Sequence, residues 1–258
     1  QLSAAQLSGF KATPPTAEVL PSGNSGDVVT RTFYNKAGQQ IGTLDGAGNL
    51  SETIYDDAGL AVQTIAYATA TNPADRTDGS FAVLKAFVAD ASTVDRTAHS
   101  VYDGQGLLRY TVNALGGVTG YQYDADGRLT ATTIYATQLA LSDFTYDAVK
   151  AAVLTNAADR TSYAVYDAAG RAAYAIDAGG GVTTFAYDTQ GNVIKSTEFD
   201  NLYVAGSLPA LATMDAWAAA SAQSGDAKNR TTRNFYGADG TLRFTLDAEN
   251  YITYYDYD

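Results

Sequence analysis

The chain has 258 residues, a formal net charge of −12, a pI near 4.3 and no cysteine. That charge argues against nucleic-acid binding by phosphate neutralisation and against attraction to an anionic membrane surface. Without thiols there is no disulfide, cysteine nucleophile or cysteine metal site, and no apolar run approaches the ~18 residues of a membrane-crossing helix. Tyrosine outnumbers phenylalanine 19 to 9, there are 24 glycines, and charged residues make up 17%. This is the composition of strands and turns.

In chain order, residues 1–26 read as a linker or a partial preceding spacer, turn-rich from Pro14-Pro15 to Gly26. They lack the basic start and apolar centre of a signal peptide. The chain begins at Gln1 and stops inside a repeat at Asp258, so it is expected to be a segment of a longer array. From residue 27 a pattern takes over. A Tyr is followed 21 residues later by a Tyr-Asp pair, four times: Tyr34 and Tyr55-Asp56, Tyr102 and Tyr123-Asp124, Tyr166 and Tyr187-Asp188, Tyr236 and Tyr257-Asp258. Four residues after the first Tyr stands Gly38, Gly106, Gly170 or Gly240, and four after the second stands Gly59, Gly127 or Gly191. Eleven after the first Tyr stands Asp45, Asn113, Asp177 or Asp247. These positions read as tight turns.

The segments between the turns alternate in polarity. Leu108, Tyr110 and Val112 share one face, and so do Leu242, Phe244 and Leu246. Thr119, Tyr121 and Tyr123 share a face in the later segment, as do Thr183, Phe185 and Tyr187. Period two predicts half-buried strands, four to each antiparallel meander. Tyr110 lies in phase with Leu108 and Val112, which favours a core role. Tyr163 and Tyr254 are expected out of phase and exposed. The Tyr of each Tyr-Asp pair is expected to be buried and equivalent from copy to copy.

Spacers separate the meanders. Helical spacing runs from an N-cap at Ser80 through Phe81, Leu84 and Val88 to Ala89. Ser142 is the expected cap of a helix carrying Phe144, Val149, Ala152 and Val153. Thr213 is the expected cap of one running through Met214, Trp217 and Ala218 to Ala222, stopped near Gly225. Arg96-Thr97, Arg160-Thr161 and Arg230-Thr231 return the chain to the next meander. The expected division is long repeats at 27–94, 95–158 and 159–229, then a truncated one at 230–258. The expected fold is mainly β: tandem antiparallel meanders forming a continuous curved or spiral sheet, with short helical spacers.

Candidate chemistry is sparse. His99 is the single histidine, and Arg31, Tyr163 and Arg233 hold its place in the other copies, so it reads as a strand surface position. Asp124-Ala125-Asp126-Gly127 has the first half of a calcium loop, without the downstream glutamate. The competing reading gives these carboxylates to backbone N–H groups or to the recurring arginines. No Gly-x-Ser-x-Gly elbow or phosphate-binding Gly-rich loop occurs, and the acids that might pair for glycoside hydrolysis sit at repeated turn positions. Trp217 lies in an Ala-rich helical stretch and is expected to pack on the sheet. The chain is expected to be non-enzymatic, with no cofactor or metal.

Residues Gly116-Gly117-Val118-Thr119-Gly120-Tyr121-Gln122-Tyr123-Asp124-Ala125-Asp126-Gly127-Arg128-Leu129, and the matching run from Gly180 to Val193, resemble the Rhs/YD repeat. The resemblance covers roughly residues 27–258. It implies part of a large bacterial surface or secreted protein. In that family the repeats form a long β-sheet that spirals into a hollow shell, often around a C-terminal toxin; in animal teneurins a related shell supports adhesion. The chain departs from the family in its helical spacers and in having no match to the self-cleaving end-plug. The implied role is structural, as shell or stalk wall. The rival is an adhesin-type module that recognises glycans or a surface partner through a Tyr-rich face. The implied partners are neighbouring repeats and domains of the same parent chain, with an enclosed toxin or a glycan as ligand; nucleic acid and membrane insertion are not expected. Tyr254 to Asp258 form a Tyr-rich edge through which self-association is expected.

Overall fold

The computed structural model describes residues 29–89, 95–204, 206–220 and 225–257. The span 1–26 and Asp258 lie outside them. The strands are β1 (Arg31–Tyr34), β2 (Gln40–Leu44), β3 (Leu50–Tyr55), β4 (Ala61–Ala66), β5 (Arg96–Tyr102), β6 (Leu108–Val112), β7 (Val118–Tyr123) and β8 (Leu129–Ile134). They continue with β9 (Arg160–Tyr166), β10 (Ala172–Ile176), β11 (Val182–Tyr187), β12 (Val193–Phe199), β13 (Arg230–Tyr236), β14 (Leu242–Leu246) and β15 (Ile252–Tyr254). Strand order is chain order, a 15-stranded meander. Among the described residues three α-helices fall in the spacers: α1 (Phe81–Ala89), α2 (Tyr146–Ala152) and α3 (Leu211–Ala219). The chain divides into two compact units, one built on 1–53 and 65–96, the other on 54–64 and 97–258.

In the first unit α1 lays Leu84 and Val88 on Leu44, Leu50 and Tyr67, and all five are buried. Ser80 caps the helix as its sequence predicts, its Oγ accepting from Val83 N at 3.4 Å. Glu52 is buried beneath α1. It is ion-paired to Lys85 at 2.5 Å, and the Tyr67 hydroxyl donates to its other oxygen at 2.6 Å. Burial, then the hydrogen bond to Glu52, pushes the Tyr67 phenol well above its ordinary range.

The second unit holds two such cores. Val149 of α2 closes over Val101, Val112 and Val118; Met214 of α3 closes over Val165, Tyr174, Ile176 and Val182. Helices therefore cover the face defined by Val118, while Thr119, Tyr121 and Tyr123 line the helix-free face. Two helix starts differ from the sequence expectation. Thr145, not Ser142, caps α2 by accepting from Ala148 N at 3.4 Å. Phe144 consequently stays outside the helix and stacks on His99, ring centroids 3.4 Å apart. α3 begins at Leu211 without a side-chain cap, one turn before the expected Thr213 signal becomes relevant. Docking Leu211 and Met214 together on the sheet outweighs a cap contribution of ~1 kcal/mol. It also ends earlier than expected, with Ala220 already extended; residues 221–224 lie outside the described residues. Trp217 packs edge-on against Phe199 and Tyr203, at 5.2 and 5.6 Å, as a core residue.

Candidate functional site

The recurring Tyr, and the Asp and Gly that follow them directly, lie at one end of the hairpins, where β1–β2, β3–β4, β5–β6 and their successors turn; Asp45, Asn113, Asp177 and Asp247 turn the chain at the other end. In β5–β6, Asp103 N donates to Leu107 O and Gly106 N donates to Asp103 O, at 3.0 and 2.9 Å. Gly106 has φ +79, the left-handed region that L side chains resist. Gly38, Gly59, Gly127, Gly170, Gly191 and Gly240 repeat that geometry with φ between 77 and 90. An Asp carboxylate finishes most of these turns; at the first the Asn35 side-chain oxygen does so, accepting from Ala37 N and Gln39 N, and at the last Gly237 holds that place and Asp239 accepts from Thr241 N. Asp124 Oδ1 accepts from Asp126 N and Arg128 N, and Asp188 Oδ1 accepts from Gln190 N and Asn192 N. The backbone N–H of Arg128 first, with its guanidinium, holds the Asp124 carboxyl below its ordinary value. Asp126 is also paired to Arg128, at 2.8 Å, so both carboxylates of the half calcium loop converge on one guanidinium. Leu60 N donates to Asp56 in the same way.

In six of these hairpins one residue of the returning strand bulges just past the turn. Tyr102 pairs with Leu108 and Val101 with Tyr110, leaving Arg109 as the extra residue. The same shift recurs beside Tyr34, Tyr123, Tyr166, Tyr187 and Tyr236. Arginines beyond the turns serve two partners. Arg109, Arg128, Arg171 and Arg243 pair with Asp103, Asp124, Asp167 and Asp239 of their own hairpins. Their guanidiniums also lie over Tyr123, Tyr166, Tyr187 and Tyr257 of the following hairpin, 4.5–5.6 Å from the ring centroids.

The tyrosines return the contact. The hydroxyls of Tyr102, Tyr166, Tyr187 and Tyr236 donate to the carbonyls of Ala61, Leu129, Ala172 and Val193, each the sixth residue after the preceding Tyr. Chain connections between these hairpins lie at the opposite end of the strands. The Tyr hydroxyl and the Arg over its ring are thus what tie consecutive hairpins at the turn end. For Tyr187 the two contacts are worth about 1–2 kcal/mol together.

The expectation of buried, equivalent tyrosines is corrected here. Tyr55, Tyr123 and Tyr187 are half-buried and Tyr257 is 52% exposed, because they stand on or beyond the helix-free face. Of the leading tyrosines, Tyr102, Tyr166 and Tyr236 are half-buried and Tyr34 is exposed. Tyr163 is corrected in the other direction: it pairs in register with Ile176 and packs against that core, so it lies on the helix face. Tyr254 is 59% exposed, as expected.

Three features escaped the sequence reading. Tyr102-Asp103 and Tyr166-Asp167 are themselves Tyr-Asp pairs, so the structural period is one hairpin; the shared offset to Gly was the available signal. The residue before each returning Arg closes its spacer: Asp95, Asp159 and Asn229 accept from Ala68 N, Ala136 N and Asp200 N. Tyr174 donates to Asp215 of α3 at 2.9 Å, and burial first, then that bond, pushes its phenol up to about 12. His99 is held between sheet and Phe144, and burial lowers its pKa. Among the described residues no group of three or more His, Cys, Asp or Glu is placed to hold a metal.

Residues 102–137 and 166–201, both starting at a leading Tyr, match the RHS Repeat family. No curated protein sequence matches the chain. Among solved structures, the fold is similar to that of a chain in the TcdB2–TccC3–Cdc42 crystal structure, with TM-score 0.51 and 14% identity over 88% of this chain. A chain of the Photorhabdus luminescens Tc holotoxin pore aligns with TM-score 0.42 and 13% identity over 91% of this chain. The protein spans 9% and 13% of the lengths of those two chains. The chain is a mainly β meander, two stretches of which match the RHS Repeat family.

Proposed function

We propose that this segment is a wall: a non-enzymatic structural stretch of a larger secreted or surface protein, which encloses or presents another domain. The observation that supports this reading is the use made of the repeated residues. Tyr, Arg and Asp at the turn ends hold one another and the next hairpin, so their polar groups are spent on the sheet itself. Repeat boundaries near 94/95, 158/159 and 229/230 belong to the same proposal, each spacer closing its own meander with a helix. Self-association through β15 is a further part of it, supported by the exposure of Ile252 and Tyr254.

The test is turnover and association measured together. The purified chain should hydrolyse no ester, phosphate, glycoside or peptide reporter above buffer background, and light scattering should show association that rises with concentration. Turnover that a substitution at one non-repeated residue abolishes would overturn the wall reading.

A further inference from the structure

We propose that the apolar face of β13–β15 is closed by residues 1–27 of a second copy of this chain, so that copies join head to tail. The proposal rests on the reading that the chain self-associates through its last strands, and it names what those strands bind.

The acceptor is a core without a lid. Register places Phe235 opposite Phe244 and Phe244 opposite Tyr254, with Leu246 opposite Ile252 in the adjacent row. The rings of Phe244 and Tyr254 pack together at 5.2 Å. Phe235, Phe244, Ile252 and Tyr254 are nevertheless exposed, and Leu246 is half-buried. In β9–β11 the corresponding places hold Val165, Tyr174, Ile176 and Val182, which Met214 of α3 closes over. A contiguous apolar patch of this kind marks an interaction surface.

What fits it is a spacer. Each described helix closes over the meander that precedes its own spacer: α1 over β2 and β3, α2 over β5 to β7, α3 over β9 to β11. Those spacers end on Asp95, Asp159 and Asn229, seven residues before a leading Tyr, and Asp27 stands seven residues before Tyr34. Ahead of it, Leu7, Ser8, Phe10, Val19 and Leu20 repeat Leu141, Ser142, Phe144, Val153 and Leu154 at the same separations. In the second spacer Leu141, Phe144 and Val153 pack on the core that α2 completes. Residues 1–27 thus carry the anchors of a lid.

Order and charge select a second copy. A spacer closes the meander before it, and residues 1–27 stand ahead of β1, while the open face lies on β13–β15. Lid and face therefore meet between copies, in a heterologous contact that repeats head to tail. Only Lys11, Glu18 and Asp27 are charged in the lid, so it is spared most of the repulsion that a net charge of −12 sets up between copies.

Sedimentation of the whole chain across a concentration series tests this, with two double variants. Phe10→Ser with Leu20→Ser removes the lid anchors, and Phe235→Ser with Phe244→Ser removes the face. Each should weaken association by about tenfold or more, as loss of buried aromatic and aliphatic anchors does. Mixed in equal amounts, the two variants should form pairs and stop there, because one copy keeps a face and the other a lid. A synthetic peptide of residues 1–27 should dissociate the unchanged chain while a scrambled peptide does not, a measurement that requires no substitution and so does not depend on how the variants fold. A lid variant that associates like the unchanged chain, a mixture that stays monomeric, or a peptide without effect would overturn the proposal and leave pairing through the β15 edge standing. A chain that is monomeric at every concentration would overturn both. The wall reading is judged separately, by turnover.

Discussion

The stretch from β9 to α3 and the stretch from β13 to β15 are written in the same residue pattern, yet only the first has a core. Val165, Tyr174, Ile176 and Val182 are 5, 6, 2 and 2% exposed beneath α3. Of their counterparts, Phe235, Phe244 and Ile252 are 49, 43 and 69% exposed and Leu246 is half-buried, with no helix described above them. Hairpin geometry is nevertheless the same in both, down to the bulge beside Tyr166 and Tyr236. The hairpin ladder therefore forms from local turn chemistry and strand pairing, while burial is conferred by the spacer helix. A repeat of this kind is two devices, a self-defining hairpin end and a core that needs a lid.

The largest expected effect breaks the lid. Met214→Ala leaves a cavity under α3 and should destabilise by about 2–5 kcal/mol, as fully buried large-to-small changes do. Phe235→Ala, on the uncovered stretch, should cost less than about 1 kcal/mol despite removing a larger side chain. Urea titration of both variants checks the difference, and equal losses would mean the two stretches are not distinguished by the helix.

A second contrast lies at the short turns. Gly180 has φ +89, and a Cβ there would stand 2.7 Å from Tyr203 O of the overlying spacer. Asn250 takes the same place in the last stretch with φ 68. Asn tolerates the left-handed conformation, so what excludes it from position 180 is the spacer above. Gly180→Asn should destabilise by about 2 kcal/mol, and Asn250→Gly should stay within about 0.5 kcal/mol in thermal unfolding. A neutral Gly180→Asn would mean that the spacer yields.

Smaller still is the hairpin junction. Tyr187→Phe removes one hydroxyl bond to Ala172 O and should cost about 1 kcal/mol. A double-mutant cycle with Arg171→Ala should show coupling of roughly 0.5–1 kcal/mol from the ring contact. Zero coupling would leave the Arg–Tyr contact without an energetic role.

The smallest difference is expected in acid, where the two stretches should behave alike. The Arg171 backbone N–H, with its guanidinium, depresses Asp167, and the Thr241 hydroxyl and backbone depress Asp239, each from an ordinary value of 3.8. A carboxylate depressed in the folded state contributes stability that is present above 3.8 and is lost as pH falls through the folded value. Asp167→Asn and Asp239→Asn should therefore flatten the acid limb of the melting curve to a similar degree, with little change in slope near neutrality. A steeper acid limb in either variant would contradict the sign.

Much of this was legible from local pattern. Turn glycines four residues after Tyr require positive φ, and period-two alternation names strands, because both follow from backbone sterics within a few residues. Helix existence in the spacers was also readable from Leu84, Val149 and Met214. Ser80 was legible as a cap too, but the cap of α2 was not, since Ser142 and Thr145 offer equal local chemistry and the packing of Val149 on Val112 selects between them.

What the sequence determined by itself was the hairpin: its turns, its alternation and its recurrence along the chain. What only the tertiary structure decided was every relation between hairpins. Arg171 reaching over Tyr187, Asp159 closing onto Ala136, and Tyr163 facing Ile176 join residues whose separation is set by register and by spacer length. One bulged residue in six of the returning strands shifts that register, and simple period counting does not carry through it.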